Sequence, residues 1–319
     1  IPGIILIGSS IENYSFNEIV GTYLVTGMFL TFLGLTNILN WINKKIPIGY
    51  SQYSLVCDSV FYKLNEFYEL KSKKITATEK GLNLDIFELN PTCTRKDFLQ
   101  KKIKKKDLYT ILAEKVSINN MNWSFDDDAF SFKTNTIILD KINANIYRGK
   151  MPVDDLSKKE LYSNLLRNLN ASIKIDTLLI KDSFLTYEEE KTFDKGPGKL
   201  FFSDFNMLVQ DIESGYKKTK LPDVTIKINC NFMKKSPLDI NWSFNVLDKT
   251  EGFKIAGSIY KFNAQELEDF TKPYMNVKVK GVLDEVHFNF AGNDFVNKGK
   301  FDGHIVLNDM CAPKPVPSK

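Results

Sequence analysis

The sequence predicts a mainly β protein: an elongated antiparallel β-meander, forming a groove or a sandwich with a few short helices, preceded by one N-terminal transmembrane helix. Apolar and polar residues alternate in strand-like fashion from about residue 75 to residue 309. Aromatic residues make up 13% of the chain, with 24 Phe and 13 Tyr, which suits β-structure. The predicted segments are a transmembrane segment at 1–49, an amphipathic helix or linker at 50–74, a β-rich domain at 75–309 and a Pro-rich tail at 310–319.

The transmembrane prediction is based on the run from Val20 to Asn43, which contains no charged residue. About 20 apolar residues cross a bilayer as a helix. Trp41 lies where an interfacial anchor belongs, and Lys44 and Lys45 follow it, which favours a cytoplasmic C-terminal flank. A buried helix of a soluble protein is the alternative.

The same N-terminal stretch has a distinctive set of small, apolar and polar residues: Asn17, Glu18, Gly21, Gly27, Leu33, Gly34, Leu35, Thr36 and Pro47. With these residues the stretch resembles a piece of a benzoate-type membrane symporter of the xanthine and uracil permease group. Such a permease builds a midplane substrate site from many spans, so transport does not follow from a single span. The resemblance also raises the hypothesis of a mosaic chain, joined near Ile48 to Cys57.

Local signals predict the helices and strands that follow. Apolar residues from Val60 to Leu70 keep helical spacing and predict a short amphipathic helix. Ser157 and Glu160 form a capping box that opens a helix with Leu161, Leu165 and Leu169 on one face. Asn263 with Glu266 caps a short helix through Phe270.

The strongest strand signal lies between Met275 and Asn293. Met275, Val277 and Val279 alternate with polar residues, and after a turn at Val282 to Glu285 the alternation resumes through Phe290. Period-two alternation places one set of side chains on each face of a sheet. We therefore predict two half-buried strands around that turn.

The block from Lys272 to Asn293 resembles the C-terminal hallmark of AsmA-like envelope proteins, and Leu89-Asn90-Pro91 followed by Arg95 to Phe98 resembles the opening of their Bacteroidetes-type relatives. This resemblance covers residues 75–309. It implies outer-membrane biogenesis or phospholipid transfer along a β-groove, with the β-rich region in the periplasm and the anchor in a bacterial inner membrane. Lys44 and Lys45 favour the opposite orientation.

On this interpretation the implied partners are the membrane, phospholipid and other envelope proteins. The alternatives are a ligand-free structural or interaction module and a transporter fragment. Plain core packing is the competing interpretation of every predicted lipid contact. The residues predicted to contact lipid are Ile226, Ile228, Phe232, Val277, Val279, Val286, Phe288 and Phe290.

Little in the sequence favours an enzyme, a metal site, a cofactor or a nucleic-acid partner. The net charge is only +4, and the basic run at Lys101 to Lys106 fits a solvated face. The four cysteines contain no CxxC pair, and His287 and His304 occupy strand-like positions. The acidic clusters at Asp126 to Asp128 and Glu188 to Glu190 suit a turn and a polar tip, since neither has a His, Cys or Ser partner at useful spacing.

Overall fold

The computed structural model describes residues 54–102, 105–126, 129–154, 160–293 and 297–306. Within them, fourteen strands form one sheet, joined by three short α-helices and one 3₁₀ helix. The strands are β1 (Ser54–Lys63), β2 (Tyr68–Thr78), β3 (Gly81–Leu84), β4 (Ile86–Pro91), β5 (Asp107–Asn119), β6 (Asn122–Asp126), β7 (Ala129–Gly149), β8 (Ala171–Glu190), β9 (Gly198–Glu213), β10 (Asp223–Phe232), β11 (Ser236–Asn245), β12 (Phe253–Asn263), β13 (Val282–Gly292) and β14 (Asn297–Val306). The helices are α1 (Arg95–Lys101), α2 (Tyr162–Arg167), the 3₁₀ helix (Ala264–Leu267) and α3 (Glu268–Met275).

The strands follow one another across the sheet almost in chain order. The order is β1-β2-β3-β5-β7-β8-β9-β10-β11-β12-β13-β14, with β4 between β2 and β5 and β6 beside β7. All described pairings are antiparallel except that of β7 with β8. A parallel pair needs a crossover connection, and residues 150–170, which include α2, provide it. The predicted mainly β fold is confirmed, but the sheet is mixed rather than purely antiparallel.

One face of the sheet holds the core, and we call it the inward face. On β10, Val224, Ile226 and Phe232 are buried, whereas Lys227 and Asn229 point the other way and are exposed. The described strands contain no second sheet that could cover the inward face. The sheet therefore has to curl, so that inward side chains of different strands cover one another.

Strand irregularities keep the same face inward along the longest strands. Lys141 of β7, Asp182 of β8 and Asp204 of β9 have positive φ angles of 49°, 47° and 48°. An extra residue at such a bulge bends the strand and increases its twist. Residues three apart on a regular strand face opposite sides of the sheet. Because of the extra residue, Leu139 and Ile142 are both buried on the inward face although they are three residues apart.

Two predicted helical features are wrong. Residues 60–70 form the end of β1, a turn and the start of β2, because the Asn65 side chain accepts hydrogen bonds from the backbone N–H groups of Phe67 and Tyr68 at 2.8 and 3.1 Å. Helix α2 begins at Tyr162, with Leu161 as an N-cap that makes no side-chain bond. Ser157 of the predicted capping box lies outside the described residues.

The apolar face predicted for the α2 region also differs from the one that the structure shows. Leu165 and Leu169, predicted to be on the apolar face, are 38% and 40% exposed, whereas Ser163 is buried. In contrast, the Asn263 cap is confirmed, since its side chain accepts a hydrogen bond from the Gln265 N–H at 3.0 Å.

The first strand of the predicted hairpin does not form. Helix α3 runs to Met275 and ends at Asn276, which has a left-handed φ of 55° and donates its N–H to the Lys272 and Thr271 carbonyls. Residues 277–281 are irregular, and β13 begins at Val282, where the sequence predicted a turn. The apolar alternation of Val277 and Val279 therefore lies on a connection rather than in the sheet.

No helix among the described residues has the length and apolarity that a bilayer crossing requires. The predicted span from Val20 to Asn43 lies outside the described residues.

Gly257 of β12 allows a test of how tightly the inward face is packed. A Cβ atom there would lie 2.4 Å from Phe288 Cζ and 2.6 Å from the Asp239 carbonyl oxygen. We expect Gly257→Val to lower the free energy of unfolding by about 1–3 kcal/mol, because the added side chain would overlap the Phe288 ring and the Asp239 carbonyl. Urea denaturation measures this. Ala256→Val, at the neighbouring half-buried outward position, is the control; equal losses in both variants would contradict the packing described here.

Candidate functional site

Apolar side chains line up across nine strands of the inward face in two parallel rows. Each member pairs directly with the next across the sheet. With neighbouring strands about 4.8 Å apart, each row is about 40 Å long. The first row is Leu82, Ile118, Ile137, Leu178, Val209, Ile226, Trp242, Ile255 and Phe290; the second is Leu84, Val116, Leu139, Ile180, Met207, Ile228, Ile240, Gly257 and Phe288.

We define the apolar trough as the inward-facing side chains of β8 to β13. Most of them are buried, but a subset is only half-buried and packs at the border of the core. Such side chains could contact an apolar ligand without the core being taken apart. The half-buried members include Ile173, Leu185, Phe202, Ile212, Ile240, Trp242, Phe253 and Phe290.

The structure brings six of the eight sequence-predicted lipid contacts onto this face. Ile226, Ile228, Phe232, Val286 and Phe288 are 1–8% exposed and lie within the core, and Phe290 is half-buried beside them. Val277 and Val279 are half-buried but lie on the connection after α3.

A charged network closes one end of the trough, where β7 and β8 end. Glu188, Glu189 and Glu190 are 5%, 1% and 5% exposed, so the predicted polar tip is instead a buried strand end. Successive residues of a strand face opposite sides, and here a helix covers each side. Helix α3 packs against β8 and β9 on the inward side, and Leu99 of α1 packs on Gly149 on the other side.

The inward half of the network is built on Arg148. Its guanidinium donates two hydrogen bonds to the Asp107 carboxylate, at 2.6 and 2.7 Å, and both side chains are buried. Burial alone would lower the Arg148 pKa, but Asp107 outweighs it and the pKa is raised. Beside this pair, Glu189 accepts a hydrogen bond from Tyr187 at 2.5 Å and pairs with Lys150 at 3.0 Å.

The outward half of the network is built on Glu188. Arg95 of α1 pairs with its carboxylate at 2.6 Å and stacks on the Tyr147 ring, 4.2 Å from the centroid. Lys199 lies 3.4 Å from the same carboxylate, and the Tyr147 hydroxyl donates to Glu190. Charge-assisted bonds of this kind fix side-chain geometry, so the network holds α1 against the sheet.

The glutamates of this network are visible in the sequence as an acidic cluster, but their partners are not. Asp107 and Arg148 are 41 residues apart, and they meet because β5 pairs with β7 in a register that places them opposite each other. No local spacing signals such a pair. Among the described residues, no group of three His, Cys, Asp or Glu side chains could hold a metal ion.

Helix α2 lies at the opposite end of the trough. Tyr162 packs its ring against Trp242 and Phe244 of β11, with centroids 5.5 and 6.2 Å apart. Arg167 forms an ion pair with the buried Glu251 and donates to the Val246 and Asp248 carbonyls at 3.0 and 2.8 Å. These bonds hold α2 over the inward face where β11 ends, beside Trp242 of the first row.

Comparisons with known proteins address the N-terminal part of the chain. Residues 1–55 match the family model described as "Benzoate membrane transport protein". The match confirms the predicted resemblance for this segment, supports membrane association there, and ends as β1 begins. No curated protein matches the chain, and the AsmA-like resemblance of residues 75–309 receives no support from these comparisons.

The Arg148–Asp107 pair gives a stability prediction. We expect Arg148→Ala to lower the free energy of unfolding by about 3–5 kcal/mol, because it leaves a buried carboxylate without its counter-charge. Urea denaturation of the full chain measures the loss. Lys174→Ala, which removes an exposed pair with Asp176 at 3.7 Å, should cost at most about 0.5 kcal/mol. A loss for Arg148→Ala as small as that of the control would mean that Asp107 is solvated.

The tyrosines of the network predict a loss of stability at alkaline pH. Burial and the hydrogen bond to Glu190 raise the pKa of Tyr147; burial raises that of Tyr187; burial and Glu189 raise that of Tyr274. The folded chain therefore keeps these protons to higher pH than the unfolded chain does. Stability should be constant below the ordinary tyrosine pKa of about 10 and fall above it.

Urea midpoints at about pH 8 and about pH 11 measure this effect. Tyr274→Phe removes one of the titrating groups and should reduce the difference between the two midpoints. A difference that is unchanged in this variant would show that Tyr274 titrates normally.

Proposed function

We propose that the β-rich region binds the acyl chains of phospholipid along the apolar trough, and that the N-terminal segment attaches it to a membrane. The pair of apolar rows is the observation that carries the proposal. Each of the nine strands has two inward positions that pair with the corresponding positions on the neighbouring strands. All of these positions hold apolar residues except Gly257, where the Phe288 ring fills the space of the missing side chain.

The size of the rows suits this ligand. The hydrocarbon core of a bilayer is about 30 Å thick and holds two opposed acyl chains, so one extended chain needs about half of that length. Rows of about 40 Å have room for more than one chain end to end. Each methylene removed from water contributes about 0.8 kcal/mol, so contact of several methylenes with the half-buried side chains favours binding.

The location that we propose follows from two resemblances. The match of residues 1–55 to a membrane transport family supports attachment to a membrane. The AsmA-like pattern of residues 75–309 implies a periplasmic β-rich region in the bacterial envelope, a role in outer-membrane biogenesis or phospholipid transfer, and contacts with other envelope proteins. Lys44 and Lys45 favour the opposite orientation, so the side of the membrane belongs to the proposal.

A ligand-free structural or interaction module is the second candidate. It is favoured by the exposures of Phe232 and Val286, which are both 1%: at these positions the core is filled by the chain itself. The two candidates differ at the half-buried side chains of the trough. Lipid covers these side chains in the lipid-binding protein, and water covers them in the ligand-free module.

Site-specific photo-crosslinking separates the two candidates. We replace Phe253, half-buried and inward, by p-benzoylphenylalanine in the full chain, and irradiate it in phospholipid vesicles. The proposal predicts a lipid adduct on the peptide that contains residue 253, identified by mass spectrometry. The same replacement of Lys254, the exposed outward neighbour, is the control.

Each outcome decides between the candidates. An adduct at residue 253 that is absent at residue 254 supports the trough as the binding site. Equal labelling at both positions, or no labelling at either, contradicts it and leaves the closed module as the function of this region.

A further inference from the structure

Two hydrogen-bond donors at the α2 end of the trough have no partner among the described residues. The Tyr162 hydroxyl oxygen and the Trp242 indole nitrogen are both shielded from solvent and make no hydrogen bond there. Their rings are neighbours, with centroids 5.5 Å apart. Trp242 points inward, since it pairs with Ile226 and Ile255 of the first apolar row.

The surroundings make this pair of unused donors unusual. Folded proteins rarely leave buried polar atoms without a partner. The other polar side chains of α2 follow that rule: Ser163 and Asn164 bond to Glu251, and Arg167 bonds to Glu251 and to two carbonyls. The unused donors are those that meet at the inward face.

The chemistry of the two donors defines the group that they would recognise. An indole N–H only donates. Burial raises the pKa of Tyr162 well above its ordinary value, so the phenol keeps its proton and donates as well. Two neighbouring groups that can only donate suit an oxygen acceptor, such as a carbonyl.

The charge balance favours a neutral acceptor over a carboxylate. The cation of α2, Arg167, is already paired with Glu251, whose side chain is 4% exposed. A bound carboxylate would lose its hydration without gaining a counter-charge, which is far more costly than burying a neutral carbonyl. An ester carbonyl avoids that cost.

We infer that Tyr162 and Trp242 form a carbonyl-binding site at the α2 end of the apolar trough, and that it holds the ester carbonyl of a phospholipid acyl chain. This inference rests on the proposed function. The hydrocarbon part of the chain then extends from Trp242 along the first row, past Ile226 and Val209. The site fixes the end of the chain, while the rows contribute most of the contact area.

Ester-linked and ether-linked phosphatidylcholine provide the test, since they differ only in the carbonyl. We expect the full wild-type chain to bind the ester lipid about tenfold more tightly than the ether lipid, as befits one or two hydrogen bonds in a buried site. The double variant Tyr162→Phe, Trp242→Phe keeps both aromatic bodies and should bind the two lipids equally, at the ether level. Tyr260→Phe, on the outward side of β12, should keep the tenfold preference.

The results distinguish the site from the function on which it rests. If the wild-type chain binds both lipids equally well, the carbonyl site is wrong and the trough stands. If it binds neither lipid, the proposed function fails. If the double variant keeps the preference for the ester, the donors lie elsewhere.

A second measurement tests whether the Tyr162 hydroxyl stabilises the fold itself. Removing an unpartnered buried hydroxyl should leave the melting temperature of the lipid-free Tyr162→Phe variant unchanged or raise it. A drop of several degrees would mean that the hydroxyl has a partner within the protein, and would overturn the site.

Discussion

A single sheet that buries only one of its faces must supply its own cover, and the rest of this structure depends on that requirement. In a sandwich, a second sheet provides the opposing layer; here all described strands belong to the same sheet. The two apolar rows give the sheet a continuous inward surface. The positive-φ residues Lys141, Asp182 and Asp204 bend three adjacent strands without turning that surface outward.

The two ends of the trough contain buried ion pairs, whereas its middle is apolar. At one end, Arg148, Asp107 and the three glutamates build a buried, charge-balanced network between α1 and α3. At the other, α2 is tied down by Arg167 and Glu251. Ion pairs buried in this way are costly to break even where forming them adds little net stability. They keep the short helices in place, and the apolar middle is left for packing or for a ligand.

The sequence predicted those parts of the fold that depend on local alternation. The strand-rich region and the Asn263 cap were predicted because a period of two and a side-chain cap are visible in a few residues. The helix predicted at residues 60–70 was wrong because apolar residues on both sides of a turn imitate helical spacing. The strand predicted at Met275 to Lys280 was wrong because α3 continues through Pro273 and shifts the start of β13. The Arg148–Asp107 pair depends on register between β5 and β7, which no local pattern reports.

The amount of lipid that remains with the purified full chain tests the central claim most directly. The chain is washed exhaustively in a lipid-free detergent, and acyl chains per protein are counted by mass spectrometry. Lipid binding in the trough predicts at least one acyl chain per folded protein, lost together with the fold on denaturation. A folded chain without lipid would contradict the account and make the inward face a closed core.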